Sequence, residues 1–125
     1  MARANILVVD DDVAQLRLFK SILEKNEYHV ESAVTGREAL ELTAEADFNL
    51  AIIDINLPDV TGDEVVREPK INGKELGIIM ITGYPSLQEC INVLDLGIQE
   101  ILLKPLDAEE LLRVVEKALH PKVAV

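Results

Sequence analysis

Five short strand-like runs, alternating with stretches of helical periodicity, set the strongest limit on what this chain can fold into. The first is Ile6-Leu7-Val8-Val9 and the third Leu50-Ala51-Ile52-Ile53. The second covers residues 28–34, the fourth 77–81, and the fifth lies within 98–103. The first, short and continuously apolar, reads as a buried strand, and the others read as further strands. Between them the spacing changes. Leu16, Phe19, Ile22 and Leu23 fall on one helical face, as do Ala39, Leu40 and Leu42 further on. Thr35 with Glu38 and Ser86 with Glu89 are capping boxes that open helices, the first running to about Ala46 and the second to about Gly97. A short helix is expected from about Gly62, ended by Pro69 and followed by an Asn72-Gly73 turn. Asp107 opens a last helix that reaches about His120, before Pro121. Strands alternating with helices imply a parallel sheet joined by right-handed crossovers. At 125 residues the chain reads as a single domain, with residues 121–125 as a tail or linker stub.

Composition narrows the core chemistry. Hydrophobic residues make up 49% of the chain but aromatics only 3%, so Ile, Leu, Val and Ala must fill the interior. The lone Cys90 excludes an internal disulfide and reads as a small core residue. With 23 acidic against 12 basic residues the net charge is −11, which opposes non-specific binding to nucleic acid or anionic lipid. No apolar run approaches the roughly 18 residues of a membrane span, and no signal peptide opens the chain. These features imply a soluble cytoplasmic protein.

The reactive residues stand at strand ends. Asp10 and Asp11 follow the first run, Asp54 the third, Thr82 the fourth and Lys104 the fifth. In open parallel sheets ligands bind at the carboxyl ends of the strands, where strand order reverses. Residues far apart in sequence are therefore expected to meet on one edge. Clustered carboxylates repel one another unless a cation intervenes, and Mg²⁺ is a hard ion suited to carboxylate and carbonyl oxygens. With that ion bound, one carboxylate can attack phosphorus while a Lys ammonium and a Thr hydroxyl hold phosphoryl oxygens. Asp12 is equally suited to a helix N-terminus. His29 and His120 are read as surface residues with no phosphorelay role.

Four segments in order carry a family resemblance: Val8-Val9-Asp10-Asp11-Asp12, Ile53-Asp54-Ile55-Asn56-Leu57-Pro58-Asp59, Ile81-Thr82-Gly83 and Leu103-Lys104-Pro105. The chain resembles the receiver domain of two-component response regulators over residues 4–120. That resemblance implies a flavodoxin-like doubly wound sheet of five parallel strands, in order 2-1-3-4-5, with about five helices. It implies that Asp54 is the phosphoacceptor, and that Asp11 is a direct Mg²⁺ ligand with Asp10 acting partly through water. The backbone carbonyl of Asn56 would complete the protein ligands. Thr82 resembles the switch hydroxyl and Lys104 the salt-bridging lysine, with a cis peptide before Pro105. The implied partners are a histidine kinase or phosphotransfer protein and an output partner or domain. The chain itself would be a monomer or a phosphorylation-dependent dimer, without direct nucleic-acid or membrane contact. It would catalyse only its own phosphorylation and dephosphorylation.

The resemblance has departures. Ile101 stands where many receivers carry an aromatic residue that swings inward on phosphorylation. Tyr84 and Asn56 occupy positions that tune phosphoryl lifetime in the family. Residues 68–76 read as a remodelled loop and partner-specific surface. Three other readings compete. A haloacid-dehalogenase-like phosphatase needs an aspartate two residues past the nucleophile, where this chain has Asn56. A pseudo-receiver would bind a partner without being phosphorylated. A flavodoxin-like cofactor binder would face repulsion between its cofactor phosphate and the acidic cluster.

Overall fold

The computed structural model describes residues 3–68, 75–83 and 98–120. Five strands and four helices lie within them: β1 (Asn5–Val9), α1 (Val13–Lys25), β2 (His29–Ala33), α2 (Gly36–Glu45), β3 (Leu50–Asp54), α3 (Gly62–Arg67), β4 (Gly77–Thr82), β5 (Glu100–Leu103) and α4 (Ala108–Leu119). The helix expected from Ser86, with Cys90 inside it and Tyr84 just before it, lies outside the described residues, as does the Asn72-Gly73 turn. All four strand pairings are parallel, and the sheet order is β2-β1-β3-β4-β5, as expected.

Local chemistry explains the element boundaries. The Gln15 N–H donates to Asp12 Oδ1 at 3.2 Å, so Asp12 caps α1. The helix ends at Lys25, and Glu27, at φ 71°, turns the chain into β2. The Glu38 N–H donates to Thr35 Oγ1 at 3.1 Å, which is the Thr35 half of the expected capping box. α3 ends at Arg67, and Glu68 is extended (φ −62°, ψ 138°), as a residue preceding proline prefers. The Glu110 N–H donates to Asp107 Oδ1 at 2.8 Å and opens α4.

Side chains alternate across the sheet and build two layers. On one side Ile6, Val8, Ile52, Ile79 and Ile81 pack with Leu16, Phe19 and Leu23 of α1 and Leu111, Val114 and Val115 of α4. On the other, Leu7, Val9, Ala51, Ile53 and Met80 pack with Ala39 of α2 and Val65 and Val66 of α3. Every residue of β3 is buried, as a central strand covered on both faces requires. Of the two phenylalanines, Phe19 joins the first layer and Phe48 the second, so aliphatic side chains carry most of both. No helix among the described residues is long and apolar enough to cross a membrane.

One polar clasp closes the end of the sheet opposite the reactive strand ends. Tyr28 Oη donates to Glu116 Oε1 at 2.9 Å, the Arg3 guanidinium pairs with the same oxygen, and Arg3 also lies 4.7 Å over the Tyr28 ring. Burial, aided by the bond to Glu116, pushes the Tyr28 phenol up to about 12. For an acid raised in the folded state, the added stability is present below the ordinary phenol range, at about 10, and fades as pH climbs beyond it. In a Tyr84→Phe background, where Tyr28 is the remaining tyrosine, tyrosinate absorbance should therefore titrate at about 12. Denaturant stability should fall across the same interval, and a midpoint at the ordinary phenol value would contradict the clasp.

Gly62 sets the fit of α3 against the strand that ends in Asp54. A Cβ there would lie 2.6 Å from the Asp54 carbonyl oxygen, 2.9 Å from Ile55 Cα and 2.7 Å from Met80 Cε. Two of those atoms are main chain and cannot swing aside. Gly62→Ala should lower unfolding free energy by about 1–3 kcal/mol in urea titrations. Gly77→Ala should cost less, since its nearest neighbour is the end of the Gln99 side chain at 3.1 Å.

Candidate functional site

The sheet order reverses at β1, with β2 on one side and β3 on the other. The crevice this opens lies at the carboxyl ends of β1 and β3, where ligands bind in such sheets. β3 delivers Asp54 as its final residue, and the Ile55 N–H continues the ladder to the Ile81 carbonyl at 2.9 Å. Asp10 follows β1 directly and remains tied to β2, its N–H donating to the Ala33 carbonyl at 3.1 Å. Thr82 ends β4, and Lys104 follows β5 with its N–H donating to the Thr82 carbonyl at 2.9 Å. The Lys104-Pro105 peptide is cis.

The strand ends converge. Asp10, Asp11 and Asp54 each bring one carboxylate oxygen within 4.8 Å of the others. Asp10 and Asp54 are buried, whereas Asp11 is exposed at the mouth. Lys104 Nζ lies 2.7 Å from Asp10 Oδ2 and 2.8 Å from Asp54 Oδ2, so one ammonium bridges the two buried carboxylates. The other Asp54 oxygen, Oδ1, accepts the Asn56 N–H at 2.9 Å. Asn56 Nδ2 in turn donates to Thr82 Oγ1 at 3.3 Å. The Asp12 side chain caps α1, while its N–H donates to Asp10 Oδ1 at 3.0 Å.

Burial raises the Asp54 carboxyl above its usual range, against the bonds from Lys104 and the Asn56 N–H, and the nearby Asp10 charge adds to the rise. Burial alone would lower Lys104, but its bonds to Asp10 and Asp54 outweigh that and hold it above its usual value. The lysine is thus a fixed cation. Three carboxylates against one ammonium leave two negative charges, the charge that one divalent cation balances. Hard carboxylate oxygens in a partly exposed cluster are the donor set that Mg²⁺ or Ca²⁺ prefers. The residues present therefore fit a divalent cation.

Two residues matter more than their sequence contexts suggest. Asp59 was expected only as a turn residue. Its carboxylate instead accepts the N–H groups of Gly36 at 2.9 Å and Arg37 at 3.0 Å, across from its own loop. Those bonds hold its carboxyl below the usual range. Gly62 was expected only as a helix start, yet its N–H donates to the Ile55 carbonyl just past Asp54. Neither contact leaves a local sequence signal, because each partner lies in another element. Ile101 pairs with Met80 in the sheet and is half-buried against the layer formed by α2 and α3.

Known proteins are similar to this chain over most of its length. The family described as response regulator receiver domain matches residues 6–116. A CheY-like response regulator receiver domain protein from Methanospirillum hungatei JF-1 superposes with a TM-score of 0.88 at 38% identity, over 93% of each chain. A response regulator from Burkholderia pseudomallei, solved with a phosphorylated aspartic acid, calcium ion and citrate, gives a TM-score of 0.81 at 26% identity over 94% of this chain and 67% of that one. The transcriptional regulatory protein ZraR of Escherichia coli K12 is 33% identical over 115 residues, which is 92% of this chain but 26% of that protein. The chain thus spans about a quarter of that curated relative's length. With the family matched over most of the chain and its sheet order and strand-end cluster in place, this chain belongs to the response regulator receiver domains.

Proposed function

We propose that Asp54 accepts a phosphoryl group from a histidine kinase or phosphotransfer protein, and that the modified domain controls an output partner or domain. The carrying observation is the Lys104 ammonium held between buried Asp10 and Asp54, beside a third carboxylate from Asp11. The phosphorylated aspartate and calcium ion of the Burkholderia pseudomallei protein support the same reading by likeness. The cation in this chain is proposed to be Mg²⁺, held by Asp10, Asp11, Asp54 and the Asn56 backbone carbonyl.

An Asp54 oxygen attacks phosphorus as the bond from phosphorus to the donor imidazole nitrogen breaks. The electron pair of that bond returns to the imidazole. Mg²⁺, when held by Asp10, Asp11 and Asp54, would supply charge neutralisation for the phosphoryl oxygens. Lys104 orients the carboxylate before transfer and then meets a phosphoryl oxygen, remaining charged throughout. The Asn56 N–H steadies the second Asp54 oxygen. Thr82, at the end of the adjacent strand, offers its hydroxyl to another phosphoryl oxygen. Water attack on phosphorus later releases inorganic phosphate and restores the carboxylate. The domain thus catalyses its own modification and its reversal, and no other turnover is proposed.

The change in charge drives the switch. A carboxylate of one negative charge becomes an acyl phosphate carrying nearly two, within reach of Lys104 and the Thr82 strand end. That biases a two-state equilibrium in the Thr82 loop and the surface beyond it. The proposed setting is cytoplasmic, and the proposed form is a monomer or a phosphorylation-dependent dimer.

Incubation with Mg²⁺ and acetyl phosphate should add one phosphoryl mass to the wild-type chain and none to Asp54→Asn. An adduct that persists in Asp54→Asn would move the site elsewhere, and no adduct in the wild type would favour a phosphorylation-independent module. Asp11→Ala should weaken Mg²⁺ binding and slow adduct formation, read by calorimetry and a mass-resolved time course. Unchanged metal affinity would remove Asp11 from the ligand set.

A further inference from the structure

The loop that leaves Asp54 is anchored on a helix that contributes no residue to the acidic cluster. Asp59 Oδ1 accepts the Gly36 N–H at 2.9 Å, and Asp59 Oδ2 accepts the Arg37 N–H at 3.0 Å. Thr35 Oγ1 takes the next donor, the Glu38 N–H, at 3.1 Å. The opening turn of α2 therefore has its main-chain donors satisfied, two of them by a carboxylate from a distant loop. Charge-assisted bonds of this kind are stronger than neutral ones. The surfaces also touch without a gap, since a Cβ on Gly36 would lie 2.3 Å from Val60 Cγ2 and 2.8 Å from Val65 Cγ2.

The other end of the same loop holds the site. Asn56 pairs with Thr61 across the loop in an antiparallel bridge, and the Asn56 N–H is bonded to Asp54 Oδ1. A loop pinned at Asp59 presents the Asn56 main chain in one place. A loop released there keeps its Asn56–Thr61 bridge and the packing of Leu57 and Val60, but loses its polar tie to α2.

We propose that Asp59 is a positioning residue for the cation site: by capping α2 it anchors the 55–61 loop and holds the Asn56 main chain beside Asp54. This rests on the reading of Asp10, Asp11, Asp54 and the Asn56 carbonyl as a cation site. Linkage makes the coupling reciprocal. A cap that favours the binding arrangement of the loop is itself favoured, by the same factor, when the cation is bound. The N-terminus of α2 therefore senses occupancy of a site to which it supplies no ligand.

The test is an Mg²⁺ titration of wild type, Asp59→Ala and Thr35→Ala, followed by calorimetry and amide NMR. Thermal melts establish that folded chains are being compared. Wild-type binding should shift the Gly36 and Arg37 amide resonances. Asp59→Ala should bind Mg²⁺ roughly 10-fold more weakly, as loss of a supporting contact does at metal sites. Thr35→Ala removes a cap from the same helix without touching the loop and should bind as wild type does. If Asp59→Ala does not fold, Asp59→Asn keeps one acceptor oxygen and should show an intermediate loss. Unchanged affinity in the Asp59 variants, or an equal loss in Thr35→Ala, would overturn the proposal. A wild-type chain that binds no Mg²⁺ would instead overturn the cation-site reading, and this inference with it.

Discussion

An ammonium group held between two buried carboxylates organises the carboxyl edge of the sheet. Lys104 follows β5, whereas Asp54 ends β3, with β4 between them. Two strand spacings come to about 10 Å, so only a long side chain can bridge that interval. A compact ammonium with several donors suits this place better than a planar guanidinium, because it must serve two carboxylates from different strands. Removing the lysine would leave Asp10 and Asp54 buried with like charges and no counter-ion, a costly arrangement. Removing either carboxylate would strip the ammonium of half its compensation. The strand order, the burial of both acids and the position of Lys104 are therefore one constraint seen from three directions.

That constraint explains which parts of the molecule were legible in sequence. β1, β3 and β4 were visible because each is short, apolar and almost wholly buried, whereas the edge strands β2 and β5 carry polar or exposed residues and were read from their place between helices. Asp10, Asp54, Thr82 and Lys104 were legible because each interrupts or follows such a run at the same end. Asp12 could be read two ways from its place in an acidic triplet, and the bond from the Gln15 N–H decides for the cap. Asp59 was not legible. Its partners at Gly36 and Arg37 lie in another βα unit, and a turn aspartate with a distant cap looks like any other. The same holds for Gly62, whose need for a missing Cβ comes from Asp54, Ile55 and Met80 rather than from its own turn.

The two hydrophobic layers divide the residues around Thr82 unequally. Ile81 joins the layer formed with α1 and α4, while its neighbour Met80 joins the layer of α2 and α3. Thr82 continues β4 past both, fully buried. Ile101, three residues before Lys104, is a branched aliphatic that packs against the second layer. Its contacts are those of a sheet residue beside Met80. One Asp54 oxygen accepts from the Asn56 N–H, whose side chain reaches Thr82, while the other meets Lys104, so both oxygens are linked to the adjoining ends of β4 and β5.

Gly62 bears on how freely Asp54, the proposed phosphoacceptor, can respond. The Asp54 carbonyl has the α3 backbone pressed against it, the next N–H is spent on Ile81, and the next carbonyl accepts from Gly62 itself. The main chain at this point is clamped from several sides, with no slack for a hinge. Adjustment on contact with a new group must then fall to torsions beyond Cα, in Asp54, Lys104 and their neighbours. Side-chain rotations are intrinsically faster than collective backbone movements by orders of magnitude. A glycine thus divides the timescales at the site, leaving the first response to rotamers and deferring slower motion to the loop beyond Ile55.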